Sequence, residues 1–273
     1  MGDDILFDLA ALPISPWALG FLCAMTFLAG FVDSIAGGGG LISIPAYLLT
    51  GLPPHLALGG NKFSACSGTC CAILRFWKHR RILWREALTG MAGAFAGSVA
   101  GSSIAFLLPA ERLKLVVVCA LPVVGAMVFW GGGLRRTREV AEPYRSMWRA
   151  AAVSVAIGFA IGMYDGIIGP GTGTFLIIAA TRFLRLDLVT ASGNAKVINF
   201  ASNLASVLVF AWHGEIPYPV AIPAALASIA GGYFGVGYCV RFGGGGVRKM
   251  MAVVLVLLFC RLAWDVASPL LTK

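Results

Sequence analysis

Eight stretches of this chain are continuously apolar, at roughly 17–33, 61–77, 87–108, 113–130, 149–166, 194–212, 219–240 and 249–268. Crossing the ~30 Å hydrocarbon layer of a bilayer takes about 20 helical residues, so each stretch has the length of a membrane span. Their apolar residues run on without the alternation of a barrel strand, which predicts helices. Two shorter stretches, 41–50 and 170–181, complete a set of ten. With 59% apolar and only 12% charged residues and a mean hydropathy of +0.86, a water-soluble core is excluded. The expected fold class is therefore an all-α polytopic membrane protein of about ten transmembrane segments. The opening Met1-Gly2-Asp3-Asp4 lacks the basic region of a cleavable signal peptide, so no removed presequence is expected.

The net charge of +9 does not point to nucleic acid, because the basic residues are grouped in short connections. Lys78, Arg80, Arg81 and Arg85 share one; Arg135, Arg136, Arg138, Arg145 and Arg149 a second; Arg182 and Arg185 a third; Arg241, Arg248 and Lys249 a fourth. Ten crossings put these four on one side, leaving only Arg112, Lys114 and Lys273 opposite, the bias of cytoplasmic loops. Both termini are then exterior. The expected divisions are an exterior tail at 1–16, a first transmembrane repeat at 17–130, a basic cytoplasmic linker at 131–148, a second repeat at 149–268 and a tail at 269–273.

Two landmarks recur in order. Asp33 is followed by Gly37, Gly38, Gly39 and Gly40, then by "GNK" at 60–62 opening a span that ends at Phe76-Trp77. Asp165 is followed by Gly169, Pro170, Gly171, Thr172 and Gly173, then by "GNAK" at 193–196 opening a span that ends at Ala211-Trp212. The Asp-to-Asn spacing is 28 in the first case and 29 in the second. Each copy holds an odd number of stretches, so the second enters the membrane from the opposite face. The connections agree: that after Trp77 is basic, whereas "HGEIPYP" after Trp212 has no Lys or Arg. Inverted repeats with glycine-interrupted short segments at matching positions are a signature of secondary transporters, with the substrate near the midplane between the repeats.

A glycine tract stops a helix and frees backbone N–H groups, and the next helix offers its positive end, which together suit an anion. Lys62 and Lys196 add positive charge from both repeats, and Asn61, Asn194, Thr172, Ser192, Asn199 and Asn203 add neutral donors. The expected substrate is a small oxyanion, divalent or tetrahedral. Asp33 and Asp165 are read either as proton-coupling acids or as helix caps and partners of the opposing lysines. Plainer readings stand beside these: glycines for close helix packing, and lysines snorkelling from helix ends. Arg261 and Asp265, spaced i,i+4, read as a structural pair.

Cys66, Cys70 and Cys71 in "CSGTCC" have the spacing of a soft-metal site, without a counterpart in the other copy. Cys23, Cys119, Cys239 and Cys260 are scattered in apolar spans as small hydrophobes. His55, His79 and His213 fall at no metal-ligand spacing, and "GGGGLIS" lacks the Lys-Ser/Thr of a phosphate-binding loop. Neither an enzyme nor a cofactor is expected.

The segments "GFVDSIAGGGGLISIPAYLLTGLPPHLALGGNK", "GMYDGIIGPGTGTFL" and "ASGNAKVINFASNLASVLVF" resemble the sulfite exporter TauE/SafE family of membrane permeases over about residues 17–268. The resemblance implies an inner-membrane permease for small sulfur-containing anions such as sulfite, sulfoacetate or related organosulfonates, driven by protons or another coupling ion. Gly60 stands where family members often carry Thr before the first Asn-Lys, with Gly193 at the equivalent place, so that hydroxyl is absent here. The expected mechanism is alternating access, one repeat rocking against the other, with lipid bilayer and anion as partners and room for a homo-oligomer. A soft-metal permease and a non-transporting anion sensor or scaffold are the alternatives.

Overall fold

The computed structural model describes residues 14–113, 115, 119 and 147–271, and over these it is helical with no strand. Helix α1 spans Pro16–Ala36, α2 Gly40–Leu49, α3 Pro54–Lys78, α4 Trp84–Leu107, α5 Met147–Ile167, α6 Thr172–Phe183, α7 Leu188–Trp212 and α8 Tyr218–Leu271. Local chemistry sets several starts. Ser15 caps α1 by accepting from the Ala18 N–H, with Pro16 as its first residue, and Asp187 caps α7 by accepting from Val189 and Thr190.

Among the described residues, five helices are long and apolar enough to cross a membrane: Pro16–Ala36, Trp84–Leu107, Trp148–Ile167, Leu188–Trp212 and the Tyr218–Val247 part of α8. Exposed tryptophans mark their ends and that of α3: Trp17, Trp77, Trp84, Trp148 and Trp212. That is the placement of an interfacial aromatic belt, and the chain is an integral membrane protein. The short helices α2 and α6, with 10 and 12 residues, differ. At 1.5 Å per residue they reach only about half way across the hydrocarbon.

The structure moves three sequence boundaries. Helix α3 begins at Pro54 and α7 at Leu188, so Lys62 and Lys196 lie about two turns inside their helices and not at the ends. Prolines and paired glycines before Asn61 lower the hydropathy there, yet Pro54 at the first helical position is compatible with helix. With 2% and 0% exposure, neither lysine snorkels. The expected basic connection at 241–248 is helical on both sides of one residue, Gly243, at φ 59° and ψ −154°. That region is essentially closed to side chains, so a single glycine makes the break. The span expected at 113–130, the linker 131–148 and the tail 1–16 lie largely outside the described residues, as do the side chains of Cys260, Arg261 and Asp265, while the helix runs on to Leu271, into the tail expected at 269–273.

Helix packing does not follow the two halves of the sequence. Helix α4, from the first half, packs on α5 and α7 of the second, while α8, from the second, packs on α1 and α3 of the first. Helices α3 and α7 join the two groups. Glycines allow backbone contact at both exchanges. A Cβ on Gly93, Gly97 or Gly101 of α4 would lie 2.1–2.2 Å from a carbonyl oxygen of α5, and one on Gly231 or Gly235 of α8 would lie 2.0 or 2.4 Å from a carbonyl oxygen of α1. This is the small-residue packing by which membrane helices approach closely.

Candidate functional site

The two glycine breaks meet each other. Gly37, at φ 78°, caps the C-terminus of α1, its N–H donating to the Asp33 carbonyl at 2.9 Å. Gly171, at φ 78° and ψ 0°, precedes α6 in the same left-handed region. The Thr174 N–H donates to the Gly37 carbonyl at 2.9 Å, and the Thr174 hydroxyl to that of Ala36 at 2.8 Å. A Cβ on Gly37 would stand 2.1 Å from the Gly173 carbonyl carbon. Close packing is therefore one part of what these glycines do. The Gly40 and Gly173 N–H groups, in the first turns of α2 and α6, find no acceptor among the described residues.

Two ion pairs cross the molecule through this region. Lys62 on α3 lies 2.9 Å from a carboxylate oxygen of Asp165 on α5 and donates to that residue's backbone carbonyl. Lys196 on α7 lies 2.5 Å from a carboxylate oxygen of Asp33 on α1. Each aspartate is thus paired with the lysine of the other half. The pairs are not equally enclosed. Asp165 is 2% exposed and also accepts from the Thr172 hydroxyl at 2.7 Å and from the Ser202 hydroxyl. The Asp33 side chain is 17% exposed, its further donor being the Gly39 N–H at 3.4 Å.

Between the breaks lies a cavity walled by both halves. Asp33, Gly37, Gly39, Gly40, Asn61 and Lys62 line it from α1 to α3, and Asp165, Gly169, Gly171, Thr172, Asn199 and Asn203 from α5 to α7. The Asn61 Oδ1 accepts from Ser43 at 2.6 Å, and the Asn199 Oδ1 from Asn203 at 3.1 Å. Their Nδ2 donors find no acceptor among the described residues. Of the other expected positions, Gly38, Asn194, Lys196 and Ser192 are off the wall. The Asn194 amide is bound to the backbone N–H and carbonyl of Leu83 at 2.8 and 3.4 Å, and the Ser192 hydroxyl to the carbonyls of Leu188 and Ile35. Lys196 sits behind Asp33.

Sequence reading passed over several polar members. Ser43, Ser64, Thr26, Thr69 and Ser228 stand on the wall, and Ser202 braces Asp165. Serine and threonine in apolar spans carry little signal of their own, but Ser202 lies one turn from Asn199 on the face that also carries Asn203. Cys66, Cys70 and Cys71 are off this wall, and among the described residues no group of three or more His, Cys, Asp or Glu is placed to hold a metal ion.

At the far end of α7 a second titratable group lies outside the spans. The Phe106 ring is stacked between His55 and His213, with centroids 5.2 and 3.9 Å away. Burial pushes the nearby Glu215 carboxyl above the usual carboxylate range, and the two histidines partly offset this. A folded-state value above the unfolded one costs stability as pH rises through that interval. Glu215→Gln is accordingly expected to raise the melting temperature of detergent-solubilised protein near neutrality by about 1–2 °C and to leave it unchanged in acid, read by thermal unfolding across pH.

Spans, meeting glycine breaks and a shared polar cavity define an integral membrane protein of the transporter class. A family model described as sulfite exporter TauE/SafE matches residues 22–262, and the chain belongs to that family. It is 31% identical over 252 residues to the probable membrane transporter protein ORF9 of Sinorhizobium sp, covering 92% of this chain and 95% of that one. The probable membrane transporter protein of Haemophilus influenzae is 31% identical over 248 residues, with 90% and 95% covered. The probable membrane transporter protein YfcA of Escherichia coli K12 is 29% identical over 256 residues, with 92% of each covered. No solved structure matches the chain.

Proposed function

We propose that this protein is an ion-gradient-coupled secondary transporter of small sulfur-containing anions, sulfite, sulfoacetate and related organosulfonates among them. The carrying observation is that one cavity collects the free Asn61 and Asn199 amide donors and the first turns of two short helices, from both halves of the chain. Helix N-termini and neutral N–H groups bind an oxyanion without a fixed net charge. We read the chain as ten membrane segments in two inverted repeats, α2 and α6 being the half-length ones, in the bacterial inner membrane with both termini exterior. The matching order of Asp, glycine break, short helix and Asn-Lys helix supports this, as does the basic character of the connections assigned to the cytoplasm.

Alternating access then moves packing groups and not sequence halves. One body is α1, α3 and α8, the other α4, α5 and α7, with the cavity at their α3–α7 seam. Labelled sulfite uptake into proteoliposomes, with sulfoacetate, thiosulfate and sulfate as competitors and with or without an imposed pH gradient, tests the reading. Gradient-responsive uptake blocked by sulfur anions is the expected result; no flux of any of these anions under either condition overturns it.

A further inference from the structure

The two lysine–aspartate pairs differ in a way that assigns them different work. Their four charges sum to zero, so a cavity in this state offers an anion dipoles but no net charge. A small anion losing its water there needs a compensating positive charge, because uncompensated buried charge is strongly unfavourable. A proton on one aspartate supplies it and leaves the cavity at +1. The question is which aspartate can take that proton.

Asp165 is the worse choice. Both its oxygens are held, one by Thr172 and the other by Lys62 and Ser202, within a site 2% exposed. Protonation there forfeits charge-assisted bonds that nothing replaces. Asp33 is the reverse, with one close partner, Lys196, a long contact to the Gly39 N–H, and 17% of its side chain open at the wall. The groups facing it from neighbouring helices are Lys196 of α7, the already paired Lys62 of α3 and Asp165 of α5, and the neutral Ser43 of α2 and Ser228 of α8.

We infer that Asp33 carries the coupling proton and that the preferred cargo is a monovalent oxyanion, one proton entering the cavity with each anion. This rests on the transport reading given above. The proton comes from water on the loading side and converts the Asp33 carboxylate to the acid. The Lys196 ammonium behind it stays charged, and the anion takes the place of the lost negative charge. Release on the other side returns the proton to water and restores the ion pair. Asp165 and Lys62 stay paired throughout and position α5 against α3. A monoanion is fully balanced by this exchange, whereas a dianion leaves one buried negative charge over.

The test is proton uptake on anion binding by the full chain in weakly buffered detergent, with methanesulfonate, a monoanion at every relevant pH, as the probe. Expected are one proton taken up per methanesulfonate bound, sulfate binding weaker by about tenfold or more, binding without proton uptake in Asp33→Asn, and proton uptake retained in Lys62→Met/Asp165→Asn, which removes the other pair without changing the net charge. Should Asp33→Asn fold poorly, the double variant Asp33→Asn/Lys196→Gln removes both charges, and it too is expected to show no proton uptake on any residual binding. Binding without proton uptake in the unaltered protein, or uptake that survives loss of Asp33, overturns the assignment while leaving an anion transporter in place. Failure to bind methanesulfonate, sulfite or sulfoacetate at all overturns the transport reading and this inference with it.

Discussion

Lys62→Ala lowers the stability of the detergent-solubilised protein by about 3–5 kcal/mol, the usual cost of leaving one member of a buried ion pair without its partner. Asp165 is 2% exposed and cannot turn to solvent, and the Thr172 and Ser202 hydroxyls that remain on it are dipoles and not charges. At roughly 2–4 °C per kcal/mol the melting temperature falls by about 6–20 °C. The double variant Lys62→Met/Asp165→Asn, which removes both charges and keeps the volumes similar, recovers most of that loss. A thermal-unfolding cycle over the two single variants and the double one reads the coupling directly. A Lys62→Ala protein as stable as the parent would mean that water or lipid headgroups reach Asp165.

Gly37→Val removes folded protein from the membrane fraction. Two independent penalties coincide at this position: φ is 78°, where a β-branched residue is strongly disfavoured, and the new Cβ would overlap the Gly173 carbonyl carbon at 2.1 Å. The nearest atoms, of Gly173 and the Thr174 nitrogen at 2.3 Å, are backbone and cannot swing aside. The contrast is Gly51→Ala, also at positive φ but with open space around its Cβ, which retains the fold at a modest cost. Monodispersity of the two variants after detergent extraction distinguishes them.

Much of this arrangement can be read from the letters, and what cannot has identifiable causes. Asp33, Asp165, the glycine tracts and the two lysines announce themselves because polar and helix-breaking residues are costly in apolar spans. Their pairing with the opposing lysines is legible only as one of two readings, since it joins residues 163 and 103 positions apart and depends on which helices exchange. The two asparagines show a subtler limit. In "GNK" the Asn immediately precedes the Lys, while in "GNAK" Ala195 intervenes. On a helix that one residue turns the side chain by about 100°, which separates an Asn61 on the cavity wall from an Asn194 bonded to Leu83. The signal was present as a single inserted letter, and it needed a helical reading of both segments to acquire meaning. Hydropathy also set the starts of α3 and α7 too late, because Gly59, Gly60, Ser192 and Gly193 look like connection yet pack inside helices.

The exchange of α4 and α8 between the packing groups bears on how such a chain is made. While the ribosome has delivered only the first half, the glycine face of α4 has no α5 to meet and the α1–α3 pair has no α8. The half-made protein therefore waits in the bilayer with backbone seams open to lipid; the α4, α5 and α7 body closes once α7 is made, and the α1, α3 and α8 body only when the last long helix arrives. Synthesis and assembly are coupled end to end, so a nascent chain that stops short of α8 holds one complete body and one whose α1 and α3 faces stay bare, which makes late truncations targets for membrane quality control.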